Sequence, residues 1–119
     1  MSRLYGFKYD VKSFGKHNYT QYIILSVHNG RLFIDIYKYN TIQHFDITDK
    51  VNVFCDKIKA LGIETWNGNL YQTSMEWYPP PGYWTLQVSV DNLSVQCSGS
   101  DAVPPHWTEF WQAFDDMCS

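Results

Sequence analysis

The chain has 119 residues, 45% hydrophobic and 18% aromatic, with 9 basic and 12 acidic side chains for a formal charge of −3. A chain of this length buries roughly two-thirds of the surface its unfolded form exposes, and so aromatic a composition excludes a disordered polymer. Nowhere do about 18 apolar residues run together, which excludes a membrane-spanning helix, and the opening MSRLYGFKYDV lacks the apolar stretch of a secretory signal.

In chain order, residues 3–11 alternate Tyr5, Phe7 and Tyr9 with Gly6, Lys8 and Asp10, as a half-buried strand does. The polar run KSFGKHN follows as a loop. Residues 20–28 and 31–39 are rich in β-branched and aromatic side chains, and Asn29-Gly30 between them suits a two-residue type I′ turn. This predicts a β-hairpin. After Phe45 the period changes. Thr48 is placed to cap a helix over 49–61, with Val51, Phe54, Ile58 and Leu61 as its apolar stripe and Gly62 as its stop.

Residues 63–82 carry little periodicity, and Pro79, Pro80 and Pro81 bar that stretch from the middle of a sheet. Beyond it, Trp84, Leu86, Val88 and Val90 alternate with Tyr83, Thr85, Gln87 and Ser89. Asp91-Asn92 then turns the chain into a second strand carrying Leu93, Val95 and Cys97. Pro104 or Pro105 is expected in the first turn of a closing helix, whose face carries Trp107, Phe110, Trp111, Phe114 and Met117. The order predicts a single α+β domain over 1–119: an antiparallel sheet of about five strands with two helices packed mainly on one face. Its expected core is Phe54, Ile58, Trp84, Leu86, Val88, Trp107, Phe110 and Phe114.

Charge is divided along the chain. Residues 1–59 hold all nine Lys and Arg against five acids, a formal +4, whereas 60–119 hold seven acids and no Lys or Arg, a formal −7. If the halves form separate surfaces, the second attracts a basic partner and repels nucleic acid; if they fold together, the charges mix.

Chemistry-bearing motifs are sparse. Cys55, Cys97 and Cys118 are odd in number and widely spaced, which suits free thiols in a reducing compartment and makes a cytoplasmic location the expectation. His17, His28, His44 and His106 form no HExxH motif and have no Cys-x-x-Cys pair beside them, so no metal or other cofactor is expected. His28 and Asp35 meeting across the first hairpin beside Arg31 would suit a small ribonuclease, but near a turn they lack the locked cleft that catalysis needs. Arg3, Lys8, Lys12, Lys16, Arg31 and Lys38, interleaved with Tyr5, Tyr9, Tyr22 and Tyr37, would suit base stacking on a basic sheet. Nucleic-acid binding is therefore the alternative function, set against an acidic total charge. The stretch IETWNGNLYQTSMEWYPPPGY has the character of a protein interface: large amphipathic rings bordered by acids. Its expected partner-binding residues are Glu64, Trp66, Tyr71, Met75, Glu76, Trp77, Tyr78 and Tyr83. For Trp66 and Tyr71 the competing expectation is that they seal the end of the sheet.

Ile63 and Trp66 followed by Tyr71, then Trp84 and Leu86, then Gly99, Pro104 or Pro105, Trp107 and Phe110 resemble a recurring pattern in small bacterial proteins. Some of those look like immunity proteins of interbacterial toxin systems. The resemblance spans about residues 63–117, with PPPGYW standing where an acidic-Gly turn is typical. It implies a non-enzymatic inhibitor that binds a cognate, basic toxin domain, such as a nuclease, and blocks a functional surface.

Overall fold

The alternation around Phe7 produces a ten-residue strand, β1 (Leu4–Ser13), in the computed structural model, which describes residues 2–13, 19–38, 41–71, 82–100 and 102–119. β2 (Tyr19–His28) and β3 (Arg31–Lys38) flank Asn29 and Gly30, whose φ of 53° and 78° are the paired positive values a type I′ turn requires. There follow β4 (Thr41–Asp46), α1 (Val51–Ala60), a short 3-10 turn (Ile63–Trp66), β5 (Leu70–Tyr71), β6 (Gly82–Val90), β7 (Leu93–Gly99) and α2 (Trp107–Cys118). The fold is α+β.

Among the described residues the sheet has seven strands in the order β4-β3-β2-β1-β6-β7-β5, not about five. Both added strands are edges. β4 reads TIQHFD and is exposed at every residue but Phe45, so it lacks the apolar alternation that marks a strand with a buried face. β5 is only two residues and exists through its parallel pairing with β7, Leu70 opposite Ser98 and Tyr71 opposite Gly99. The other neighbours pair antiparallel.

Two helix starts also differ from expectation. Thr48 does not cap α1, whose N-cap is Lys50 with no side-chain bond. Instead its hydroxyl donates to Asp46 Oδ1 at 2.8 Å and accepts the Leu32 N–H at 2.9 Å, which ties the end of β4 to the start of β3. The prolines precede α2 rather than opening it, because His106 adopts a left-handed φ of 65° and the helix begins after it. Gly62 does stop α1, at a φ of 73° that costs a glycine little.

The core gathers around Phe7 of β1. Its ring lies 6.1 Å from Phe54 of α1 and, on α2, 6.1 Å from Phe110, 5.3 Å from Phe114 and 6.2 Å from Trp111. Seven of the eight residues expected in the core are buried, and Trp107 is half-buried. Phe110 is fully buried, so Phe110→Ala should cost about 3–5 kcal/mol in a urea denaturation series. A loss below about 1 kcal/mol, far under the usual large-to-small range, would remove it from the centre of the core.

Candidate functional site

The residues that carry the sequence resemblance converge on one aromatic cluster. The 3-10 turn after α1 buries Ile63 and Trp66, and the Trp66 ring lies 5.9 Å from Trp107 and 5.4 Å from Phe110. Trp84 continues the cluster, 4.7 Å from Trp107 and stacked on Tyr71 at 6.2 Å, while its indole N–H donates to the Ala102 carbonyl at 3.2 Å. Gly99 is required here. A Cβ at that position would lie 2.6 Å from the Tyr71 carbonyl oxygen and 2.7 Å from the Trp84 ring, closer than any real side chain approaches.

This cluster redistributes the residues expected to meet a partner. Trp66 is 1% exposed and belongs to the core, out of reach of any partner in this structure. Tyr71 is half-buried against Trp84, and its hydroxyl accepts a bond from Asn69 Nδ2 at 3.1 Å. Tyr83 is 41% exposed and points to the side of the sheet opposite Trp84, across from Lys12. Glu64 is exposed on the 3-10 turn. Met75, Glu76, Trp77 and Tyr78 lie outside the described residues. Tyr71 and Tyr83 therefore stand on opposite sides of β6 rather than together.

Acidic side chains collect instead on α2, which carries Glu109, Asp115 and Asp116, whereas α1 carries Lys57 and Lys59 beside Asp56. α1 and α2 run antiparallel, with Lys57 Nζ 3.7 Å from Asp116 and Lys50 Nζ donating to the Ser119 carbonyl. Between them lies a groove of about 420 Å³ with Ala60, Leu61 and Ala113 in its lining, Glu109 and Gln112 on the α2 side, and the Lys57–Asp116 pair spanning it. Part of the −7 half is neutralised by the +4 half, since Lys59 sits 2.7 Å from Asp91 and holds its carboxyl below the usual carboxylate range. Glu64, Glu109 and Asp115 are exposed and have no ion pair among the described residues. Only the pairing of remote segments separates neutralised acids from free ones.

The outward side chains of β1 to β4 form a second surface. Lys8 Nζ lies over the Tyr22 ring at 5.8 Å, and Tyr22 lies 6.0 Å from Tyr37. The expected His28–Asp35 pair does not form. The two-residue turn sets Asp35 opposite Ile24 and His28 opposite Arg31, and Asp35 is taken by His44 Nδ1 from β4 and by the Ser26 hydroxyl at 3.0 Å. His44 also stacks on Phe33 at 4.3 Å. A histidine oriented through Nδ1 keeps Nε2 for a ligand or a proton. The signal for this pair was β4 itself: once that strand is recognised, His44 falls opposite Asp35.

Burial pushes the Cys55 and Cys97 thiols up to about 11 and Cys118 up to about 12, so none is a thiolate nucleophile at neutral pH. Among the described residues no three His, Cys, Asp or Glu side chains converge as metal ligands. Arg31 donates to Asp46 at 2.6 Å and, with the Thr48 N–H and hydroxyl, lowers that carboxyl from 3.8 to about 2. Because the folded value is the lower one, the stabilisation is present above about 3.8 and is lost as pH falls towards 2. Arg31→Ala should therefore be less stable than wild type at neutral pH, and the gap should close through that acid window in denaturation measurements. A gap independent of pH would assign the effect to something other than Asp46.

No protein-family model matches this chain, and a search of curated proteins returns no relative.

Proposed function

We propose that this chain is a non-enzymatic protein-binding module, an immunity-type inhibitor that acts in the cytoplasm by covering a basic functional surface of a cognate toxin domain. One observation carries the reading: the groove between α1 and α2 has Ala60, Leu61 and Ala113 in its lining and, at its α2 side, Glu109, which is exposed and outside any ion pair among the described residues, with Asp115 further along the same helix. An apolar floor beside the free acids of α2 suits a basic protein better than it suits a small substrate, because those acids steer encounter and the floor supplies desolvated contact. In this reading both helices cover mainly the Phe7 face of the sheet and turn their outer sides to the partner. The likeness of Ile63, Trp66, Trp84, Gly99 and Trp107 to a pattern in small bacterial proteins, some of which look like immunity proteins, supports the same class, and the packing of these residues into one cluster gives the pattern a structural role that needs no contact with the toxin.

A second reading rests on the other surface. Lys8 over Tyr22, with Tyr22 beside Tyr37, is the arrangement on which single-stranded bases stack.

Affinity capture from the native host, followed by mass spectrometry and a binding titration, separates the two. The inhibitor reading expects one basic protein retained in stoichiometric amount. The double variant Glu109→Lys, Asp115→Lys should slow its association about tenfold at low salt, and the difference should shrink as ionic strength rises. Unchanged association in that variant, or turnover of a defined substrate by the wild type, overturns the reading. Salt-sensitive binding of single-stranded RNA, lost in Tyr22→Ala, Tyr37→Ala, establishes the second one.

A further inference from the structure

The two ends of the sheet are managed differently. At one end stands β5, Leu70–Tyr71, paired parallel with β7. At the other end β4 has no strand on its outer side among the described residues, over the six residues Thr41–Asp46. The Ile47 N–H donates to the Leu32 carbonyl at 2.9 Å, and this pair sets the alternation along the ladder. The backbone groups of Thr41, Gln43 and Phe45 face β3, and those of Ile42, His44 and Asp46 face away from it. Natural edge strands are usually protected by Lys, Pro or a bulge. β4 has no Lys, Arg or Pro, its register with β3 is unbroken, and its one charge, Asp46, is held by Arg31. Ile42, 70% exposed, is the most exposed large hydrophobic residue among those described, and it stands beside Tyr37, itself 41% exposed.

We propose that two copies of this chain pair antiparallel through β4 and form a two-fold dimer with a continuous sheet. A two-fold axis centred on His44 engages every outward backbone group: His44 pairs with His44 of the second copy, and Ile42 with Asp46 of the second copy. Ile42 then lies beside the Arg31–Asp46 pair of the other copy and is removed from water. No like charges are set opposite one another. The occupant is a second copy because pairing of this kind uses both long edges at once. A two-fold pairing of one patch with itself is closed, so the assembly stops at a dimer instead of growing into a fibre. The pairing leaves the α1–α2 groove free and does not depend on what that groove binds.

Sedimentation equilibrium on the full chain tests this directly. Wild type should sediment at twice the chain mass with a concentration-dependent approach to the monomer, and the Ile42 and His44 amides should exchange more slowly as concentration rises. Ile42→Lys places a charge on the edge and should restore the monomer. Ile42→Pro removes an N–H that faces away from β3 and should do the same with the fold retained by circular dichroism. Val103→Lys, at a residue that is also exposed but lies between β7 and α2, should stay dimeric. A wild type that is monomeric at every soluble concentration overturns the proposal, as does a dimer that survives Ile42→Lys.

Discussion

Phe7 is the contact on which the rest of the structure depends. It stands on β1, the strand between the hairpin of the N-terminal half and the strands of the C-terminal half, and its ring touches both helices. β1 pairs with β2 on one side and β6 on the other, so the halves share a sheet, and Phe7 makes them share a core. Stacking four aromatic partners around one ring favours tilted and offset geometries that only one relative placement of the helices satisfies. The charge arrangement follows from that placement. α1 belongs to the basic half but lies beside α2 of the acidic half, where Lys57 and Lys59 reach Asp116 and Asp91.

The aromatic richness of the second half is first a matter of packing. Trp66, Trp84, Trp107 and Tyr71 form a connected cluster at the β5–β7 end of the sheet, and Gly99 lets the strand backbone approach the Trp84 ring. Rings spent in this way are not available for recognition, which moves candidate binding surfaces outward. Among the described residues, the outer sides of the helices, the outward face of β1 to β4 and the free edge of β4 are places where this molecule still offers unsatisfied chemistry. Each offers a different kind. The α1–α2 groove presents an apolar floor beside acids of α2, the strand face presents rings with lysine, and the edge presents backbone donors and acceptors.

Local charge pairs then refine these surfaces. Asp91 occupies the β6–β7 turn with a positive φ of 53°, accepts the Arg3 N–H at 2.8 Å and binds Lys59. It therefore joins the start of β1, a turn of the distant hairpin and the end of α1. Asp46 plays the same part at the other end, holding Arg31 while its second oxygen accepts from Thr48. These exposed pairs orient segments more than they stabilise them, since solvent screens most of their attraction.

Much of this was legible in the chain. Alternation at Phe7–Tyr9 and Trp84–Leu86–Val88 marked strands because one face of each had to be buried, and Asn29-Gly30 marked a hairpin because both positions accept positive φ. The apolar stripes of α1 and α2 were readable for the same reason, and so was the core built on Phe54, Phe110 and Phe114. What lay beyond the sequence was every feature set by a partner remote in the chain. β4 and β5 have no buried face of their own to impose a period, so their pairing with β3 and β7 alone makes them strands. Thr48 reads as a helix cap until Leu32 and Asp46 claim its hydroxyl, and His28 reads as the partner of Asp35 until strand register delivers His44. Trp66 has the composition of an interface and the position of a core residue. Periodicity records which side of a segment faces the interior, a local property of the backbone; which segment it meets there depends on the packing of the whole, and only the tertiary structure decided it.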